Sequence, residues 1–366
     1  MTKPLVVIQL LPALNNGGVE RGTVEIANYL AAHGHTSIVI STGGMMQQDL
    51  ADNVEHIQLD VGKKSLLSLL LIKKLRQIFS DKKADIVHAR SRLPAWLAYR
   101  ALAKIKINKP RFMTTIHGLY SVKRYSSIMA RGDQVIAVSQ TALDYVKSNY
   151  PNYLKTEPKL IYRGVDNKAF PYAYEPDILW LQKFYEQNHQ LVGHKMVLMA
   201  GRLTALKGVK DLLPWLQSTD NDAKLVLTAD PEHDLTAAKL FHYFKEHKVA
   251  DRIVWIKPSN DMKQLYAMAD VVVSASKRPE SFGRTVLEAL AIGTPVVAYD
   301  HGGVGEILAE IFPQGRVELN NTQQLSDKIN HMLTSHPHVN NTQPFQLETM
   351  CLQTLNLYKK ASHDKE

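Results

Sequence analysis

Short runs of apolar and β-branched residues alternate with stretches of helical apolar spacing along most of the 366-residue chain. Runs of this length predict buried strands, and the spacing between them predicts amphipathic helices. Regular alternation of strands and helices is typical of parallel sheets that are covered by crossover helices. The pattern therefore predicts an α/β protein.

The predicted strands form two sets. The first set comprises Leu5–Leu10, Ser37–Ser41, Ile86–Ala89, Phe112–Ile116 and Val135–Val138, with Lys159–Tyr162 as a candidate closing strand. The second set comprises Met196–Ala200, Leu225–Thr228, Ile253–Ile256, Val271–Ser274 and Pro295–Tyr299. Apolar spacing over Val19–Ala32 predicts a helix after the first strand. This order predicts two Rossmann-like halves.

A chain of this length is too long for one ordinary domain. We place the N-terminal Rossmann-like domain at residues 1–166 and the C-terminal one at residues 167–345, with the boundary anywhere from 166 to 194. The glycine and prolines between Arg163 and Pro176 predict a connection there. The tail at 346–366 has helical spacing over Gln346–Lys360 and is long enough to cross back onto the first domain.

Basic residues are concentrated in the first half of a chain whose formal net charge is +9. Residues 1–166 hold 23 basic and 12 acidic residues, a net charge of +11, whereas residues 167–366 hold 21 and 23, a net charge of −2. Clustered cations beside the apolar Leu66–Ile72 run predict binding to an anionic membrane surface. A solvated basic face is the alternative, and nucleic acid is not expected because no recognisable module for it is present. The cations concerned are Lys63, Lys64, Lys73, Lys74, Arg76, Lys104, Lys106, Lys109, Arg111, Lys123 and Arg124.

Several classes of protein are excluded by the composition. The one cysteine, Cys351, excludes an internal disulfide framework and a cysteine-rich zinc module. No apolar run approaches the roughly 18 to 20 residues of a membrane span, and the first residues lack the pattern of a signal peptide. The expected location is cytoplasmic, peripheral on the cytoplasmic face of the membrane.

Ligands of doubly wound sheets bind beyond the carboxyl ends of the strands, so the loops there are the first places to look for chemistry. Gly17 and Gly18 follow the first strand and precede a helix, where backbone N–H groups can approach an anion. The spacing is not G-x-G-x-x-G, which argues against a nicotinamide dehydrogenase, and a plain tight turn is the alternative. Arg202 and Lys207 share the loop after Met196–Ala200 and can both reach one pyrophosphate.

The strongest local signal is a pair of carboxylates, Glu280 and Glu288, eight residues apart after the fourth strand of the second set. Pro279 and Gly283 predict that Glu280 lies in a loop and that Glu288 lies two turns into the following helix. Backbone N–H groups from 281 to 284 would then be available to hydroxyl or phosphate oxygens at the helix start. The two carboxylates would face different parts of one ligand.

Together these motifs resemble the retaining nucleotide-sugar glycosyltransferases of family 4, which have the GT-B fold. The resemblance covers nearly the whole chain. It implies two Rossmann-like domains facing across a cleft, the first binding the acceptor and the second binding the donor, with the C-terminal helix crossing back to the first domain. The matching segments are Gly17–Arg21, His117–Gly118, Arg163–Asp166, Gly201–Arg202, Lys207–Gly208, Glu280–Glu288, Gly293–Ala298 and His301–Gly303 with Glu306.

The resemblance also implies roles for individual side chains. Arg202 and Lys207 would hold the donor pyrophosphate. Glu288 would accept hydrogen bonds from the ribose, and Glu280 would bind hydroxyls of the donor sugar. His117 would lie beside the transferred sugar. Arg202, Lys207, Glu280 and His117 are therefore the predicted catalytic residues.

Backbone groups would supply the remaining contacts to the donor. The glycines near the N-terminus would approach its phosphates, a segment near residue 259 would hold its base, and the loop after Glu280 would hold its sugar. Arg163 departs from the Asn often found before Gly-Val-Asp in this family. The predicted backbone contacts are Gly17, Gly18, Ser259, Ser281, Phe282 and Gly283.

The expected function is transfer of a sugar, with retained configuration, from a nucleoside diphosphate sugar to a cell-envelope glycolipid or lipopolysaccharide core acceptor. A UDP sugar is favoured over a GDP sugar. No cofactor and no metal are expected, because two fixed cations can neutralise the leaving diphosphate. A nucleotide-sugar epimerase and a non-catalytic sugar-nucleotide sensor are the alternatives.

Two sequence features that resemble metal ligands are interpreted otherwise. Asp220-Asn221-Asp222 precedes a strand instead of ending one, and we interpret it as a turn. The three histidines near the C-terminal tail have no carboxylate or cysteine at ligand spacing, which indicates a solvated helix end and loop. They are His331, His336 and His338.

Overall fold

The computed structural model describes residues 3–63, 70–218, 222–257 and 261–363. The chain divides into two compact units. The N-terminal unit comprises Met1–Gly164 together with Leu347–Glu366, and the C-terminal unit comprises Val165–Gln346. Each unit is built on its own parallel sheet.

The sheet of the N-terminal unit has seven parallel strands in the order β3-β2-β1-β4-β5-β6-β7. Apolar residues fill the central strands, so that β1 and β4 are buried on both faces, as expected when helices cover both sides. The strands are β1 Val6–Leu10, β2 Thr36–Ser41, β3 Glu55–Gln58, β4 Ile86–Ala89, β5 Arg111–Ile116, β6 Gln134–Ala137 and β7 Lys159–Leu160.

The helices of this unit are α1 Gly18–Ala32, α2 Leu71–Asp81, α3 Arg92–Leu102, α4 Gln140–Asn149 and, from the C-terminal tail, α12 Leu347–His363. Helix α12 buries Met350, Leu355 and Tyr358 in one cluster with Ile26 of α1. A buried hydrogen bond of 2.6 Å between the Tyr358 hydroxyl and His88 Nδ1 also joins it to β4. The expected return of the C-terminal helix to the first domain is confirmed.

The C-terminal unit has a six-stranded parallel sheet in the order β10-β9-β8-β11-β12-β13. Its strands are β8 Met196–Met199, β9 Lys224–Leu227, β10 Ile253–Trp255, β11 Val271–Ser274, β12 Val296–Tyr299 and β13 Arg316–Val317. Its helices are α5 Ile178–Gln187, α6 Leu213–Gln217, α7 Leu235–Glu246, α8 Met262–Met268, α9 Arg284–Ile292, α10 Gly302–Ile311 and α11 Thr322–Ser335.

The prediction of two Rossmann-like parallel sheets is confirmed, and two edge strands were missed. Strand β3 reads Glu-His-Ile-Gln, is half-buried at best, and has no apolar run to mark it. Strand β13 is only two residues long. Among the described residues, no helix is both long and apolar enough to cross a membrane.

Candidate active site

Two loops of the C-terminal unit meet at the carboxyl ends of adjacent strands β8 and β11. The Lys207 ammonium lies 2.6 Å from Glu280 Oε1, and the Ser276 hydroxyl donates to the same oxygen at 2.6 Å. The backbone N–H of Lys277 donates to the Leu206 carbonyl at 2.7 Å. Residues that the sequence assigned to the diphosphate and to the sugar are therefore joined by an ion pair.

Glycine at position 208 makes this close approach feasible. Gly208 has a left-handed φ of +68°, and a Cβ there would lie 1.9 Å from the Ala275 carbonyl oxygen. Any side chain would push the β8 loop away from the β11 loop and separate Lys207 from Glu280. The match to Lys207–Gly208 thus has a steric explanation.

The first residues of helix α10 pack against the Glu280 loop and hydrogen-bond to it. The Gly303 N–H donates to the Glu280 carbonyl at 2.9 Å, and a Cβ on Gly303 would lie 2.4 Å from the Phe282 Cα. His301 Nε2 lies 2.6 Å from the Ser276 carbonyl, so this nitrogen carries the proton and donates. Ser276 and His301 therefore position the carboxylate that Lys207 contacts.

Glu280 is ionised because of its neighbours. Burial raises the pKa of its carboxyl, but the Lys207 ammonium and the hydrogen bonds from Lys207 and Ser276 outweigh burial and hold that pKa below its ordinary value. A carboxylate held in this state accepts hydrogen bonds from neutral hydroxyl groups. It is suited to binding sugar hydroxyls.

Glu288 lies one turn into helix α9, not two turns as predicted. The helix begins only at Arg284, because Gly283 adopts a φ of +109° and forms its N-cap. Arg284 Nε donates to Glu288 Oε1 at 2.6 Å, and the Tyr266 hydroxyl donates to Oε2 at 3.1 Å. Glu288 is 8% exposed, so any ribose contact uses the lone pairs that these donors leave.

The other residues of this unit that are predicted to contact the donor lie outside the Lys207–Glu280 contact. Arg202 is exposed and has no hydrogen bond or ion pair to any described residue, so its guanidinium is available to a ligand. Ser281 is half-buried in the loop. The N–H groups of Phe282 and Gly283 donate to no group in the part of the chain that the structure describes. Ser259 lies outside the described residues.

In the N-terminal unit, Gly17 is the N-cap of α1 and Gly18 is its first residue. A Cβ on Gly17 would lie 2.3 Å from Glu20 Oε2, whereas nothing lies within 4 Å of a Cβ on Gly18. The structure therefore places a carboxylate over Gly17 that the sequence reasoning did not consider. An anion has the freer approach at Gly18.

His117 follows strand β5 and is neutral. Burial, the guanidinium groups of Arg90 and Arg163, and His88 hold the pKa of His117 well below its ordinary value. Arg90 Nη1 lies 3.5 Å from His117 Nε2, which makes that nitrogen the acceptor. Sequence reasoning assigned no role to Arg90 or Arg163, although both occupy the surroundings of a predicted site residue.

Two sequence profiles match the chain. The profile described as Glycosyltransferase Family 4 matches residues 16–168, and that described as Glycosyl transferases group 1 matches residues 182–344. The chain belongs to the group 1, family 4 glycosyltransferases. The fold class and the enzyme class expected from the sequence are thereby confirmed, and both sheets belong to a GT-B enzyme.

This glycosyltransferase is similar to several known proteins over most of its length. A glycosyltransferase structure from Rickettsia africae has 29% identity and a TM-score of 0.83, covering 98% of this chain and 99% of that one. The Anabaena protein Alr3699/HepE, solved with UDP and glucose, has 19% identity and a TM-score of 0.79, covering 96% and 99%. N-acetyl-alpha-D-glucosaminyl L-malate synthase of Bacillus anthracis is 26% identical, covering 82% of this chain and 80% of its own.

Proposed function

We propose that this glycosyltransferase transfers a sugar, with retained anomeric configuration, from a nucleoside diphosphate sugar to a cell-envelope glycolipid or lipopolysaccharide core acceptor. The observation that carries the proposal is the contact between Lys207 and Glu280. It places a fixed cation beside a carboxylate suited to hydroxyl groups, which is what binding of a diphosphate next to a sugar requires.

In the proposed reaction the bond between the anomeric carbon and the diphosphate oxygen breaks. The acceptor hydroxyl forms the new bond on the same face, and its proton passes to a phosphate oxygen. Arg202 and Lys207 stabilise the negative charge that develops on the leaving diphosphate. Glu280 and the N–H groups of Phe282 and Gly283 hold the donor sugar.

The remaining assignments are proposals of the same kind. Glu288 binds the ribose, Ser281 contributes to the sugar site, and the segment at Ser259 binds the base. For the N-terminal unit, we propose that backbone N–H groups at Gly17 and Gly18 bind phosphate oxygens and that His117 contacts the transferred sugar.

A UDP sugar is the first donor to test, because the similar Anabaena protein was solved with UDP and glucose. A thermal-shift panel of UDP, GDP and ADP sugars identifies the donor. A ligand at 100 times its dissociation constant stabilises by about 2.7 kcal/mol. No shift with any member of the panel would contradict the proposed donor class.

Substitutions of the two carboxylates, Glu280 and Glu288, are expected to have different effects on ligand binding. Glu288→Ala should weaken the binding of the free nucleoside diphosphate by roughly tenfold or more, since hydrogen bonds to a charged group contribute about 1.5–3 kcal/mol. Glu280→Ala should spare that binding and reduce the discrimination among donor sugars. Isothermal titration with UDP and with intact donors measures both quantities.

A matched control for these variants is Glu310→Ala, which removes an exposed carboxylate from α10. It should change neither quantity. Because Glu288 also partners Tyr266 and Arg284, circular dichroism must first show that its variant is folded. Equal weakening of free UDP by both Glu280→Ala and Glu288→Ala would show that the assigned roles are wrong.

Turnover is expected to survive EDTA, because Arg202 and Lys207 supply the charge that a metal would otherwise supply. Among the described residues, one group, Asp230 with Glu232 and His233, brings potential ligand atoms within 4.8 Å of one another. His233 Nδ1 lies 2.9 Å from Asp230 Oδ2, so we interpret this group as a hydrogen-bonded cluster. Loss of turnover with EDTA and its recovery with Mg²⁺ would contradict the interpretation.

We further propose that the N-terminal unit docks on an anionic membrane through a basic groove. This groove has a volume of about 570 Å³ and is lined by α2 and by the segment after α3. Its cations are Lys73, Arg76, Lys104 and Lys106. They carry the docking, because cations near anionic lipid contribute about 1 kcal/mol each.

Two exposed apolar side chains belong to, or directly precede, the segments that line the basic groove. Ile107, which also lines it, is 81% exposed, and Leu70, at the start of α2, is 70% exposed. Of the predicted Leu66–Ile72 run, only the last three residues are among the described residues, and Lys64 is not among them either. Leu71 and Ile72 are half-buried. Apolar contact with the lipid is therefore assigned to Leu70 and Ile107.

A further inference from the structure

A small cavity in the N-terminal unit is lined by Arg90, Arg163 and His117. Its volume is about 20 Å³, which is room for one water-sized group. Aliphatic side chains and Gly22 form most of the remaining wall. Of the residues that line it, His117 alone is half-buried and the others are buried, so a group from outside enters beside His117.

Arg90 follows strand β4 directly and is 4% exposed. Its Nη2 donates to the Gly22 carbonyl at 2.7 Å, and its Nη1 faces His117 Nε2. Its Nε is buried and has no hydrogen-bond partner among the described residues. A buried N–H of a charged group without a partner is costly, which indicates that a ligand atom belongs there.

Arg163 lies against the same point of helix α1 and is 7% exposed. A Cβ on Gly22 would lie 2.4 Å from Arg163 Nη1, so a side chain there would displace the guanidinium from this position. Arg163 Nη2 lies 3.4 Å from Glu25 Oε2, which compensates one positive charge. Glycine at position 22 thus leaves room for the Arg163 guanidinium against the helix.

The charges around the cavity do not balance. Glu25 is paired with Arg163, whereas Arg90 makes no ion pair within the described part of the chain. The other titratable neighbours are neutral: burial lowers the pKa values of His88 and His117 and raises the pKa of the Cys351 thiol to about 12. Burial likewise raises the pKa of Tyr358. One positive charge is left, and a buried charge without a counter-charge is unfavourable.

We infer that Arg90 and Arg163 form a binding site for one anionic oxygen, from a carboxylate or phosphate group of a substrate that enters beside His117. The identity of the molecule that carries this group, donor sugar or acceptor, rests on the proposed function. The anion site itself does not. If the site binds a group of the donor sugar or of the acceptor, that substrate is an anionic saccharide.

Formate, the smallest carboxylate, is the probe for the site. The protein is titrated with sodium formate and, in parallel, with sodium HEPES at the same ionic strength, and the formate-specific shift is the difference between the two salts. Formate at 100 times its dissociation constant should raise Tm by about 5 °C or more. Arg90→Met, an apolar replacement of similar length, should abolish the shift, and Arg100→Met, at an exposed arginine on α3, should retain it.

Two results would overturn the inference: no formate-specific shift in the wild type, or the same shift in Arg90→Met. If Arg90→Met does not fold, wild-type crystals soaked in bromide decide the question. An anomalous peak within hydrogen-bonding distance of Arg90 Nε supports the site, and its absence there overturns it.

Two sugar nucleotides that differ by one carboxylate show whether the donor or the acceptor carries the anionic group. UDP-glucuronate should bind at least tenfold more tightly than UDP-glucose, and lose this preference in Arg90→Met, if the donor carries the group. Formate binding that persists unchanged in saturating UDP-glucose and UDP-glucuronate assigns the group to the acceptor. Neither readout requires sugar transfer, so failure of the anion site and failure of the proposed function are distinguishable.

Discussion

Replacing Lys207 with alanine is expected to lower turnover by roughly two to three orders of magnitude, and Arg202→Ala by a similar factor. Both cations are proposed to stabilise a charge that develops on the leaving diphosphate. The Lys207 variant should be the more damaging, because it also leaves Glu280 without the ammonium that lies 2.6 Å away. Initial rates with the donor found in the thermal-shift panel measure the effect.

A double variant tests the contact directly. Since Lys207 and Glu280 act on each other, the loss in Lys207→Ala/Glu280→Ala should be smaller than the product of the two single losses. Lys210→Ala is the matched control, because the Lys210 ammonium stacks over Tyr243 at 3.9 Å from the ring centroid. Near-normal turnover in a folded Arg202→Ala or Lys207→Ala variant would remove that residue from the site.

Changing the three exposed lysines of the basic groove, Lys73, Lys104 and Lys106, together with the neighbouring Lys74, to glutamine is expected to weaken binding to anionic vesicles by about 10³-fold. All four side chains are exposed and none forms an ion pair within the described ranges, so each offers its full charge to the membrane. The estimate uses about 1 kcal/mol for each cation. Co-sedimentation with vesicles containing phosphatidylserine measures it, and turnover on a soluble acceptor should survive.

The control for this surface changes four exposed lysines of the C-terminal unit, Lys183, Lys239, Lys245 and Lys248, to glutamine. The net charge falls equally, but vesicle binding should persist. High salt should release the wild type, since the Debye length shortens to about 3 Å at 1 M. Equal binding to neutral and anionic vesicles, or none to either, would assign the basic groove to solubility or to another partner.

The central strands were predictable because they are buried on both faces and therefore appear as continuous apolar runs. Strand β3, at the edge of its sheet, has no such requirement and carries Glu55 and Gln58 at its exposed ends. The start of helix α9 was misplaced for a different reason. Pro279 and Gly283 indicate a break, but the left-handed φ of Gly283 delays the helix to Arg284.

The contacts within the candidate site were less accessible to sequence reasoning. The Lys207–Glu280 pair depends on the approach of Gly208 to Ala275, which periodicity along the chain does not encode. Arg90 and Arg163 come together through parallel strands far apart in sequence. One signal was available: Gly22 lies inside a helix, where glycine costs about 1 kcal/mol relative to alanine and marks a close approach.

Sugar transfer is tested most directly by incubating the protein with its donor, with and without a cell-envelope lipid extract, and following the sugar by NMR. The proposal predicts that nucleoside diphosphate is released only with the extract, and that the sugar is found on the acceptor with the anomeric configuration of the donor. Conversion of the donor sugar without acceptor would indicate an epimerase. Donor binding without turnover in any extract would indicate a sensor and contradict the proposed transfer.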